Sequence, residues 1–162
     1  MNLGHLVSIV QESRNLTALV FPLPDVADCV DYAITEAGEY LDAVLREKRQ
    51  GDKRNHEKDS DRRKEWGQCG YMIASAMMQI ENCPVETAIP PDNGGSVYSV
   101  LVSLCGYQRR VTDDPDWLAE ALEDWSTVCE CESWDATDLL MDTCAAFERK
   151  HLPSLFEDSN NG

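Results

Sequence analysis

The sequence predicts an all-α protein, and three observations carry that prediction. Apolar residues recur at steps of three and four, as in Leu3, Leu6, Val7 and Val10, and again from Val26 through Val30, Ala33, Ala37, Leu41 and Val44. The stretch from Trp66 to Ile80, WGQCGYMIASAMMQI, is apolar or small nearly all round, which suits a helix in the middle of a bundle. The chain carries no β-hairpin signal and no repeat of fixed period.

The elements follow in order. A first amphipathic helix runs to about Arg14, and Phe21-Pro22-Leu23-Pro24 then imposes an extended link, because proline cannot continue a helix and restricts the residue before it. Asp25 caps a long second helix that ends near Arg49 or Gln50, before Gly51. The segment GDKRNHEKD, residues 51–59, has no apolar residue and reads as a solvated connector. Ser60 can cap the third helix, with Asp61 in its first turn favoured by the helix dipole. Gly67 and Gly70 weaken that helix locally but let another backbone approach closely. Residues 81–96 hold Pro84, Pro90, Pro91, Gly94 and Gly95 and form a long loop. Helices over Val97–Arg110, Asp116–Cys129 and Ala136–His151 complete the chain, the last with Leu140, Cys144 and Phe147 on one face. The expectation is a single domain over residues 1–162: an N-terminal helix and linker (1–24), a helix pair (25–82), a loop (83–96), additional helices (97–151) and a frayed tail (152–162).

Composition bounds the function. With 43% hydrophobic and 27% charged residues over 162 positions, the chain is an ordinary globular protein of one domain. A net charge of -16 repels phosphate backbones, so nucleic acid is an unlikely partner in the sense of a general DNA or RNA binder. The charge is uneven: residues 111–162 hold fourteen acids against Arg149 and Lys150, whereas residues 46–64 hold nine bases against five acids. The seven cysteines make an odd set without a C-x-x-C pair, so they read as reduced thiols, Cys129 and Cys131 being the only close two. No apolar run approaches the roughly 20 residues that span a bilayer, and the N-terminus lacks the features of a secretory signal. A cytoplasmic location and no membrane association are expected.

The chemistry sits in three acids. Glu36 and Glu39 are three apart, so they share one face of the second helix, and Glu65 follows after 25 intervening residues, at the start of the third. Together they can grip one hard divalent cation. Considered on the second helix alone, Glu36 lies roughly 100° and Glu39 roughly 160° from the centre of the apolar stripe, which is also what a solvated acidic face looks like. Glu65 lies at the edge of its helix's buried face and wants a cation, because a buried carboxylate without a partner is costly. Arg62, Arg63 and Lys64 lie within a turn of Glu65 and can neutralise a phosphate chain, though a solvated connector explains such bases equally. Asp138 and Asp142, four apart, read as an acidic outer face, and the three histidines show no metal-ligand spacing. The four tryptophans read as core or interface anchors.

The segments Thr35-Glu36-Ala37-Gly38-Glu39 and Glu65-Trp66-Gly67-Gln68 resemble the E-E-x-x-E … E-x-x-D pattern of the MazG-like all-α nucleoside triphosphate pyrophosphohydrolases. ITEAGEYLDAVLRE is similar to that family's first metal helix and EWGQCGYMIASAM to its second. The resemblance implies a four-helix-type bundle of the MazG-like kind, with extra helices after the central one. It implies Mg2+, with Mn2+ as a substitute, held by Glu36, Glu39, Glu65 and Gln68, and a nucleoside triphosphate cut to pyrophosphate and a monophosphate. Glu36 or Glu39 would take the proton of the attacking water, and the protein would be a homo-oligomer, a dimer or a tetramer. Thr35 stands where the pattern has its first glutamate and Gln68 where it has aspartate, so the site carries less negative charge, although Gln68 can still offer a neutral oxygen. CAAFERKH is similar to a family segment N-x-K-F-E-R only at Phe147, Glu148 and Arg149. Two alternatives stay open: a catalytically impaired MazG-like nucleotide-binding or regulatory protein, and an acidic helical interaction module that engages a basic partner.

Overall fold

The computed structural model describes residues 2–49, 61–86, 94–109 and 114–153, and every regular element among them is a helix. These are α1 (Leu3–Thr17), α2 (Val26–Arg49), α3 (Asp61–Met77), α4 (Val97–Arg109), α5 (Asp116–Cys131) and α6 (Ala136–His151). The all-α expectation therefore holds. Side-chain oxygens of Asn2, Asp25 and Asp135 accept the backbone N–H three residues on, at 2.9, 2.8 and 2.9 Å, and so start α1, α2 and α6. The third helix stops at Met77 rather than reaching Ile80, because Gln79 and Ile80 donate to the carbonyls three residues back and tighten the end into turns. Ser60, Lys53, Arg54, Arg110, residues 87–93 of the loop and the tail from residue 154 lie outside the described residues.

The third helix is the axis of the bundle, touching α1, α2, α5 and α6, while α4 packs outside on α2 and α5. Its interior run, from Trp66 to Met77, is buried except at Gln68, which explains why the sequence offers no polar face there. The most extensive contact is with α2, and the two run antiparallel. At one end Arg62 Nε of α3 lies 3.2 Å from Glu47 of α2, and at the other Gln79 Nε2 donates to the Pro24 carbonyl at 3.0 Å.

Close approach at two glycines brings α5 and α6 onto α3. A Cβ at Gly67 would overlap the Thr143 hydroxyl of α6, and one at Gly70 would overlap the Trp125 ring of α5. The Trp125 indole N–H donates to the Trp66 carbonyl at 2.7 Å, and the Trp66 indole N–H returns a bond to the Trp125 carbonyl at 3.2 Å. Both rings are wholly buried, so each N–H needs the acceptor it finds. Trp134 is likewise buried, and Trp117 packs its ring on Gly106 of α4. On the opposite side, buried Arg14 lies between the rings of Phe21 and Tyr71, 5.0 and 4.6 Å from their centroids, and so ties the linker to α1 and α3. No helix of the described residues is long and apolar enough to cross a membrane.

Gly70→Ala is expected to destabilise the fold by about 2–3 kcal/mol, the cost of overpacking against a ring that cannot yield without losing its hydrogen bond. Urea denaturation followed by circular dichroism measures it, and an unchanged midpoint would contradict the close approach.

Candidate metal centre and adjoining cleft

Antiparallel packing of α2 on α3 sets the second turn of α3 against the middle of α2. The result is that Glu36, Glu39 and Glu65 each bring a carboxylate oxygen within 4.8 Å of the other two. Ligands held about 2.1–2.5 Å from a shared ion lie no more than about 5 Å apart, so the three oxygens are close enough for one hard divalent cation. Their environments differ. Glu65, its side chain 13% exposed, and Glu36 are both part-buried, whereas Glu39 faces solvent. The grading gives the centre an inner wall and an open side.

The electrostatics of Glu36 and Glu39 express the same crowding. Burial pushes the Glu36 carboxyl up to about 8, and a hydrogen bond with Glu65, the Glu65 charge and the Glu39 charge add to it while Lys64 partly opposes. Glu39 is also raised, through partial desolvation and then through Glu65. Like charges gathered this closely hold a proton among themselves unless a cation joins them. The donor set of three carboxylates is all hard oxygen, which fits Mg2+ or Mn2+ and not a thiophilic metal.

Gln68, one turn beyond Glu65 on the same face, points its amide at Glu36. With the amide nitrogen toward the carboxylate it donates to both oxygens, at 3.0 and 3.3 Å. The sequence expectation placed the Gln68 oxygen on the metal; with the amide assigned in this sense its N–H groups meet Glu36, which supplies acceptors to match them. Gln68 thereby orients a ligand.

The three bases before Glu65 part company. Arg62 does not face a phosphate site: it is buried, with Nε 3.2 Å from Glu47 and Nη1 2.8 Å from Glu132, and its guanidinium lies 5.7 Å from the Trp134 ring centroid. Tyr40 donates to the other Glu132 oxygen at 2.8 Å, so α2, α3 and the end of α5 are locked by one polar cluster. Arg63 is buried too, and its Nη2 lies 2.9 Å from Asp142 of α6. Lys64 is exposed, with Nζ 3.6 Å from Glu65. Arg63 and Lys64, together with Gln68, line a cleft of about 570 Å³ between α3 and α6. Arg149 and Lys150 line its other side. The sequence reading assigned neither a role, although Arg149 is one of the three residues that match the family segment and the two are the only lysine or arginine residues between 111 and 162. Asp142, read as part of an acidic outer face with Asp138, is instead the partner of Arg63, while Asp138 is exposed. Cys129 is buried and Cys131 exposed, so the one close cysteine pair faces two environments.

Linkage gives these acids a measurable signature. A folded-state value raised from 4.5 to about 8 means that the metal-free folded chain binds the Glu36 proton more tightly than the unfolded chain, so its contribution is intact below 4.5 and is lost as pH rises through 8. Glu36→Gln is therefore expected to raise the melting temperature of the metal-free protein near the upper end of that window and to change it little at the lower end. Each kcal/mol relieved moves the midpoint by about 2–4 °C in a chain of this size. Thermal melts of both proteins in chelator across the window provide the test, and parallel pH profiles would refute the shared proton. Compared with protein-family models, with curated proteins and with solved structures, the chain finds no match.

Proposed function

We propose that the chain is a magnesium-dependent nucleoside triphosphate pyrophosphohydrolase, the activity implied by the resemblance of its α2 and α3 segments to the MazG-like enzymes. The observation that carries the reading is the convergence of Glu36, Glu39 and Glu65, from two helices and across 25 intervening residues, to within 4.8 Å. Three carboxylates at this spacing offer one hard divalent cation its ligands, and that is the support the geometry lends the reading.

Glu36, Glu39 and Glu65 would hold the ion, which supplies Lewis-acid polarisation of phosphate oxygens and a more acidic bound water. The residues of the chain do the remainder. Gln68 fixes the plane of the Glu36 carboxylate, and Lys64 draws negative charge toward the side of Glu65. Glu39, the exposed member, is best placed to accept a proton from a water that attacks the α-phosphorus, because Glu36 is already engaged by Gln68 and Glu65. The bond from the α-phosphorus to the bridging oxygen breaks, pyrophosphate leaves, and the monophosphate keeps the oxygen of the water. Magnesium or manganese as cofactor, the triphosphate as substrate and assembly as a dimer or tetramer belong to the same proposal.

The bond from Gln68 to Glu36 also favours a second reading, a MazG-like protein that binds nucleotide without turning it over, since an aspartate at that position would add a charged ligand. Assay of pyrophosphate release from the common and deoxy triphosphates with Mg2+ or Mn2+ decides between them. Activity with at least one is expected, and Glu39→Gln should lower it about 100-fold or more while leaving the helical fold intact by circular dichroism. Absence of pyrophosphate from every triphosphate, with binding retained, would select the second reading.

A further inference from the structure

The outer helix α4 turns Val100, Leu104 and Tyr107 inward and leaves its other face unpartnered. On that face Tyr98, Val102 and Cys105, at steps of four and three, are exposed, Tyr98 at 66% and Val102 at 65%. With part-buried Leu101 beside them they make an uncharged strip along a helix that carries no charged residue before Arg109. Single apolar residues at a surface are ordinary, whereas a continuous strip with a polar border marks an interaction site. Both borders of this strip are acidic. On one side α5 packs on α4, the Trp117 ring against Gly106, and carries Asp116, Glu120 and Glu123 at steps of four and three. On the other, Gln108 of α4 donates to the Ala27 carbonyl and the Asp31 carboxylate of α2, both at 2.8 Å, with exposed Asp28 one turn earlier. No lysine or arginine occurs in α5, and none in α2 before Arg46. Among the described residues the ion pairs lie elsewhere and involve none of Asp116, Glu120 and Glu123. Partial burial, and then the charges of Asp124 and Glu120, hold the Glu123 carboxyl above its usual range.

We propose that the outer face of α4, between these acidic borders, docks a basic amphipathic helix of a partner protein. The apolar side of such a helix would cover Tyr98 and Val102, and lysines or arginines along its edges would meet the carboxylates of α5 and α2. A second copy of the chain does not suit this surface. Two-fold pairing through α4 would set acidic border against acidic border. The strip also measures only about 20 Å by 10 Å for a helix of 13 residues. Each folded partner in a standard interface contributes roughly 800 Å², so the strip matches one helix better than a whole subunit. The surface is separate from the carboxylate centre. Ala27, held by Gln108, and Glu36 are about two and a half turns apart and so lie on opposite sides of α2. Docking on α4 is therefore independent of any hydrolysis at Glu36, Glu39 and Glu65.

Calorimetric titration of the full chain with a designed peptide, a helix of about five turns with leucine on one face and lysine on the other, tests the surface. Saturable binding is expected, and a twin peptide with glutamate in place of lysine should not bind. Tyr98→Ser with Val102→Ser, and separately Glu120→Lys with Glu123→Lys, should each weaken binding of the lysine peptide at least about tenfold. Glu12→Lys with Asp138→Lys changes the net charge by the same amount at exposed positions of α1 and α6, and should leave the affinity within about threefold. A lysine peptide that fails to bind, that binds the Tyr98 and Val102 variant as it binds the parent, or that loses as much affinity for the Glu12 and Asp138 variant would overturn the assignment. Sedimentation supplies the remaining outcome: a parent that is an oligomer and becomes a monomer with Tyr98→Ser and Val102→Ser would place a second copy on this face and overturn it as well.

Discussion

Everything functional in this fold depends on the register of α2 against α3. The two helices are joined through a charged connector and meet antiparallel, and only one axial offset sets Glu36 and Glu39 beside Glu65 and Gln68. A slip of one turn would move the acids about 5.4 Å and separate them beyond reach of a common ion. The offset is pinned at both ends by polar contacts: Arg62 to Glu47 near the connector, and Gln79 to the Pro24 carbonyl at the far end. Between them Tyr40 lies against Trp66, ring centroids 4.7 Å apart, and fixes the middle.

Buried ion pairs such as Arg62 with Glu47 and Glu132 contribute little net stability, because desolvation of each charge offsets the attraction. Their contribution here is to specificity. A guanidinium between two carboxylates cannot be moved along the helix without stranding all three charges, so the pair excludes alternative registers even where apolar side chains would accept them. The repulsion among Glu36, Glu39 and Glu65 works against the same packing, and the lock at the connector end holds the acids together despite it.

Most of the helices were legible in the sequence. Apolar stripes placed all six, with ends displaced by no more than a few residues, since periodicity is a property of one helix and needs no knowledge of its neighbours. The site was legible only in part. Glu65 at the edge of a buried face was read correctly, whereas the angular placement of Glu39 alone suggested open surface; the structure agrees that it is exposed, but its side chain leans toward Glu65, which no single-helix projection contains. Arg62 was misread for the same reason. It lies beside Arg63 and Lys64 in a run that looks uniformly solvated, and only the arrival of Glu132 from the end of α5, seventy residues on, makes it an interior group. Conversely the cleft that Arg149 and Lys150 line could not be read from the sequence, because it exists only once α6 has docked on α3.

The paired indoles at the centre of the bundle have an optical consequence. Trp66 and Trp125 are wholly buried and each is hydrogen-bonded to the other's carbonyl, so their fluorescence originates from a dry, rigid seam between α3 and α5. Trp117, partly buried on the α4 side, emits from a wetter and separate location. A shift of the emission toward the red therefore reports opening around the buried indoles, Trp66 and Trp125 in the seam and Trp134 beside Arg62, more than loosening at the α4 edge.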